Sequence, residues 1–193
     1  IAEMFHSCLT MRRTRKFLLN IKKDRNHPDG SRYVHVVSRT AGQEILFGDQ
    51  DKETFHKILF KQLKFSGLRV ISWCFMGNHF HLLLEVPDRE DALSRLDDEA
   101  VLGRLSVFAK EKSTKFLLAE LGGCRKAGNV VGVARIAAQV RARLFDISAF
   151  MKELKQRFTI AYNYSTGRTG TLWEGRFRSV LVEPGEALRT VAG

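Results

Sequence analysis

The sequence predicts an α+β fold, an antiparallel sheet carrying helices, on three observations. Residues 32–86 read by hydrophobic period as strand, helix, strand, strand; residues 88–146 turn helical and charge-patterned; a strongly amphipathic stretch at 148–162 then gives way to strand-like composition at 171–183. With 193 residues and 44% hydrophobic content, the chain can close one sizeable core.

Taken in order, residues 1–31 mix MRRTRK (11–16) and IKKDR (21–25) with the turn signal HPDG (27–30), which suits a basic arm ahead of a domain spanning 32–193. RYVHVVSRTA (32–41) alternates as a first strand. In DKETFHKILFKQLKFSG (51–67), Phe55, Ile58, Leu59 and Leu63 recur at helical spacing, with Asp51 as the predicted N-cap and Gly67 as the stop. LRVISWCFM (68–76) and 79–86 flank Gly77-Asn78 as a hairpin closed by Pro87-Asp88. The stretch at about 88–146 reads as a helical insertion with a break at GGCRKAGN (122–129). Ile147, Phe150, Met151, Leu154, Phe158 and Ala161 then form an apolar stripe, ended by Gly167 and Gly170. TLWEGRFRSVLVE (171–183) supplies a last strand, and PGEALRT (184–190) begins like a helix. The order predicts a split βαβ, ferredoxin-like sheet.

Charge narrows the partner. Lys and Arg number 32 against 21 Asp and Glu, a net +11, which is the footprint of a polyanion binder and points to nucleic acid. Arg168, Arg176 and Arg178 surround Trp173 and Phe177. Interleaved cations and rings suit single-stranded or hairpin DNA, with phosphates on Arg and unpaired bases on rings; Arg39 joins them from the first strand. The same pattern also suits an exposed strand with an aromatic anchor. No run approaches a membrane span and the N-terminus has no apolar signal core, so a soluble, cytoplasmic protein is expected, with no membrane partner. Cys8, Cys74 and Cys124 lie far apart, as reduced thiols would.

GNHFHLLLE (77–85) holds the most specific chemistry. Phe80, Leu82, Leu84 and Val86 share one strand face; His79, His81, Leu83 and Glu85 share the other. Two imidazoles at i and i+2 can ligate one divalent ion, or one can pack while the other is solvated, and spacing alone leaves both open. His35 falls on a first-strand face that could bring it up as a hydrogen-bond partner behind a ligand. Glu85 could orient a ligand or be a solvated carboxylate.

Three segments, YVHVVSRTAGQEILF (33–47), CFMGNHFHLLLEVP (74–87) and SAFMKELKQRFTIAYNYSTGRTGTLWEGRFRSVLVE (148–183), together resemble the single-tyrosine HUH transposases of the REP-associated type. The resemblance implies an HUH endonuclease core with a helical insertion. It also implies a nicking and strand-transfer activity on hairpin DNA, as a monomer or homodimer. His79 and His81 would hold Mg²⁺ or Mn²⁺ at the scissile phosphate, and a tyrosine would attack phosphorus to leave a 5′-phosphotyrosine. That tyrosine is expected on a helix after the LWEGRF strand, with a nearby Asn as a further metal ligand. The sequence ends at ALRTVAG (187–193), so the nucleophile is expected beyond Gly193 in a chain truncated at both ends, with Tyr164 and Tyr162 as the fallback. The competing expectation is a domesticated or decayed module that binds hairpin DNA without cutting it. A replication initiator or relaxase fits GRTGTLWEGRF less well.

Overall fold

The computed structural model describes residues 30–182. Four strands, β1 (Arg32–Arg39), β2 (Arg69–Phe75), β3 (His79–Val86) and β4 (Arg178–Val182), form one sheet in the order β2-β3-β1-β4. Every neighbouring pair is antiparallel. Helix α1 (Asp49–Ser66) crosses from β1 to β2, and β3 is inserted between those two strands. This is the expected split βαβ, ferredoxin-like arrangement. The predicted arm at 1–31, apart from Gly30 and Ser31, and the helix start at 184–190 lie outside the described residues.

Alternation divides the sheet into two faces. Val34 and Val36 of β1 and Phe80, Leu82 and Leu84 of β3 are buried against Phe55 and Leu59 of α1 and against Phe150, Leu154 and Phe158 of α6 (Ile147–Thr166). Burial of each such side chain contributes about 1.5–3 kcal/mol, so this face anchors both strands. Between β3 and α6 the chain folds as α2 (Arg89–Ser94), α3 (Asp98–Gly103), a 3-10 turn (Arg104–Phe108), α4 (Lys112–Lys126) and α5 (Val130–Arg141). These helices close a second apolar cluster around Leu105, Ile136, Val140 and Leu144. Phe65 of α1 and Phe145 join it to the first domain layer.

Glu153 fastens α6 to its surroundings. Its carboxylate accepts from Arg143 at 2.6 and 2.9 Å, from Arg157 at 2.9 Å and from Gln62 of α1 at 3.1 Å, while Arg157 also meets Glu111 at 3.0 Å. Burial raises the Glu153 pKa, but the hydrogen bonds and charge of Arg143, followed by Arg157 and Gln62, outweigh it and hold the carboxyl below its ordinary range.

Two local expectations need correction, and one is sharpened. Asp51 is not the N-cap of α1. Gly48 occupies that position, and Asp51 sits three residues on, where its carboxylate accepts from the Gly48 N–H at 2.9 Å. The break predicted within GGCRKAGN falls at Ala127–Asn129, where Gly128 has φ 63°, while Gly122 and Gly123 still lie inside α4. The strand expected at 171–183 pairs continuously only over Arg178–Val182, with a single bridge from Trp173 to Thr40 upstream. Gly67 and Gly167 end α1 and α6 in the left-handed region, as predicted.

Candidate metal centre and nucleic-acid face

The face of the sheet turned away from α1 and α6 carries the imidazoles. In the β1–β3 register Arg39 lies opposite His79, Val37 opposite His81 and His35 opposite Leu83; β4 places Arg178 opposite Val37. Directly opposed residues share a face, so His35, Arg39, His79, His81 and Arg178 all emerge on the same side. The His79 and His81 rings are 5.0 Å apart at 71°. His35 lies nearly parallel to His81, ring centres 5.1 Å apart, with its Nε2 2.9 Å from His81 Nδ1. His79 Nδ1 is 2.6 Å from the side-chain oxygen of Asn78.

Burial disfavours the charged form of all three imidazoles. Burial lowers the His81 pKa to about 3, helped by the neighbouring His35, His79 and Arg39. Burial and then Arg39 lower that of His79, and burial that of His35. A neutral ring is the form that offers a lone pair to a cation. The donor set therefore fits a divalent ion at His79 and His81, with His35 placed to orient His81 from behind. Among the described residues the pair is not joined by a third imidazole, thiolate or carboxylate into a metal-holding group. Glu85 is drawn away to Arg69, 3.3 Å off.

The expected DNA-contacting residues separate into two places. Arg39 and the exposed Arg178 sit beside the imidazoles. Half-buried Arg168 and exposed Arg176 lie on the segment between α6 and β4, and Phe177 packs partly against the core. Trp173 departs from the expectation of a ring offered to a base. It is 6% exposed, packed edge-on to Phe80 with centroids 5.3 Å apart, and its Nε1 donates to Thr159 Oγ1 at 3.0 Å and Lys155 O at 3.2 Å. An indole closed in on both faces cannot also stack on DNA, so the aromatic-anchor alternative describes it.

The fallback tyrosines are also displaced from the site. Tyr162 is buried on α6, on the opposite side of the sheet, and donates to Leu46 O at 3.3 Å. Tyr164, 91% exposed, rides on the same helix. Tyr33 shares the imidazole face but lies opposite Glu85, four residues along β3 from His81, a rise of about 13 Å. Sequence reasoning missed Asn78 and the carbonyl of Gln43, which accepts from the Asn78 amide at 2.9 Å. The signal available was an asparagine directly before the first histidine in GNHFH.

This is an α+β protein whose ferredoxin-like sheet presents an imidazole cluster and arginines on one face. Residues 30–96, which contain β1, α1 and the histidine hairpin, match the family described as "Transposase IS200 like". The chain is also similar in structure to a proposed transposase of Deinococcus radiodurans R1, with a TM-score of 0.43 and 14% identity over 89% of this chain and 92% of that one. No sequence among the curated proteins matches. Among the described residues no helix is long and apolar enough to cross a membrane, and Cys74 and Cys124 are free.

Proposed function

We propose that the protein is a metal-dependent single-strand DNA endonuclease and strand-transferase that acts on hairpin DNA. The observation that carries this reading is the pair of imidazoles, His79 and His81, with ring centres 5.0 Å apart and set beside Arg39 within the segment that matches the IS200-like transposases. His79 and His81 would hold a divalent ion such as Mg²⁺ or Mn²⁺, which would supply Lewis-acid neutralisation of charge developing on the scissile phosphate. His35 orients the His81 ring, and Arg39 and Arg178 pair with phosphate oxygens on the same face. Arg168, Arg176 and Phe177 hold the hairpin away from the point of cleavage, through phosphate contacts and one partly exposed ring.

In the strand-transfer step a tyrosine oxygen forms the new bond to phosphorus and gives up its proton. The bond to the 3′ oxygen breaks, and that oxygen leaves as a hydroxyl, so the 5′-phosphotyrosine conserves the ester for rejoining. A second reading, a module that binds hairpin DNA without cutting, draws on the placement of Tyr33, Tyr162 and Tyr164 away from the imidazoles. One experiment separates the two. Hairpin DNA labelled at either end is incubated with Mn²⁺ and the protein, wild type or His79→Ala/His81→Ala. Metal-dependent nicking that disappears in the double variant supports the enzyme, and tight binding without any nick supports the module. Nicking at the wild-type rate by the double variant refutes the assignment of the pair.

A further inference from the structure

We infer that Asn78 is a positioning residue that fixes which nitrogen of His79 is presented to a divalent cation. The inference rests on the reading of His79 as a ligand and adds the device that prepares it. Asn78 is gripped from both sides of its turn. Its backbone carbonyl accepts from the N–H of the fully buried Thr40 at 2.9 Å. Its side-chain Nδ2 donates to the carbonyl of Gln43 at 2.9 Å.

Gln43 reaches that point through the left-handed backbone region, φ 57°, at the end of the 3-10 turn Ala41–Gln43. Its own N–H donates back to Thr40 O at 3.2 Å. Next door, Gly77 O accepts from the N–H groups of Leu46 and Phe47 at 2.7 and 3.0 Å. A Cβ at Gly77 would come within 2.8 Å of Ile45 Cγ2, so a larger residue there would push against the exposed Ile45 side chain.

The chemistry follows from donor and acceptor capacity. A carbonyl can only accept, so the bond to Gln43 O identifies the Asn78 nitrogen and turns its oxygen the other way. That oxygen lies 2.6 Å from His79 Nδ1 and can likewise only accept. Nδ1 must therefore carry the proton, and the neutral ring has its lone pair at Nε2. Neutral imidazole in water favours the opposite tautomer, with the proton on Nε2. Asn78 removes the cost of switching tautomer before a cation binds and locks the ring rotation as well.

The test uses the full chain, ¹⁵N-labelled and free of metal. Long-range ¹⁵N–¹H correlation spectra assign the His79 tautomer, and titration with Mn²⁺ alone measures affinity. Wild type is expected as the Nδ1–H form. Asn78→Ala, with its fold checked by thermal unfolding, is expected to revert to Nε2–H and to bind Mn²⁺ about 10–100-fold more weakly. An Nε2–H ring in wild type overturns the inference, as does an unchanged tautomer in a folded Asn78→Ala, or unchanged Mn²⁺ affinity once the tautomer has switched. A tautomer that switches as expected in a protein that never binds Mn²⁺ leaves the Asn78 assignment standing and removes the metal reading of the site instead.

Discussion

Replacement of Trp173 distinguishes a core residue from a DNA-stacking one, because the two roles move different observables. The indole is 6% exposed and packs among Phe47, Phe80 and Phe158 at centroid distances of 5.7, 5.3 and 5.8 Å. Truncation of such a ring costs about 3–5 kcal/mol, transfer and cavity terms together. The lost Nε1 donor adds little, about 0.5–1.5 kcal/mol, since Thr159 Oγ1 keeps its own bond to Lys155 O at 2.8 Å. In a chain of this size each kcal/mol moves the midpoint by about 2–4 °C, so the about 3.5–6.5 kcal/mol together should lower Tm of Trp173→Ala by roughly 7–26 °C. Trp173→Phe, which keeps most of the ring, should lower it by only a few degrees. Thermal unfolding followed by circular dichroism gives the first quantity, and fluorescence anisotropy with hairpin DNA, well below the variant's midpoint, gives the second. Affinity should stay near wild type. A Tm within a degree or two of wild type, with binding weakened by the about 1–3 kcal/mol of a lost base stack, would refute the core assignment.

Further outcomes are equally direct. Gly67→Ala should destabilise the protein by several kcal/mol in chemical denaturation, because Gly67 has φ 78° and a Cβ there would sit 2.3 Å from Phe145 Cε1. Glu153, whose carboxyl is depressed in the folded state, contributes stability that is present above the ordinary glutamate range and lost as pH falls through the folded pKa. Glu153→Gln should therefore cost about 1.5–3 kcal/mol at neutral pH and flatten the acid branch of the stability profile; an unchanged branch would remove Glu153 as its source. The 193-residue chain should form no covalent adduct with hairpin DNA through Tyr162 or Tyr164, since α6 covers the sheet face opposite the imidazoles. Peptide mass mapping of an adduct to either residue would contradict that geometry.

How far the sequence discloses this protein depends on the range of the interaction in question. The histidine hairpin is legible because period two is a local property: Phe80, Leu82 and Leu84 must face one way, so His79 and His81 must face the other. The stop at Gly67 is legible because glycine relieves a local left-handed turn. Trp173 misleads because its flanking arginines resemble a stacking platform, and only the return of residues 172–174 to the end of β1 encloses the ring: Ala41 N–H donates to Leu172 O and Glu174 N–H to Arg39 O. The Asn78–Gln43 bond spans 35 residues and uses a backbone carbonyl, which side-chain patterning does not register. Asp51 marks the start of α1 correctly but is displaced by three positions, since a carboxylate can cap from inside the first turn as well as from the N-cap.

The same alternation that makes the hairpin readable also separates folding from chemistry. Burying His81 is unfavourable to its charged form, as its depressed pKa records, yet the strand that carries it is fixed from the other face by Phe80 and Leu82, both fully buried. The core thus offsets the cost of a desolvated imidazole one residue away, without touching it. Substitutions at His79 act on the site face and leave the aromatic core in place, whereas Trp173, remote in sequence, acts on the core beneath Phe80 and moves the histidines only by loosening their strand. Trp173→Ala should therefore lower Tm and, well below its midpoint, leave site function near wild type, whereas His79→Ala should lose site function at nearly unchanged stability.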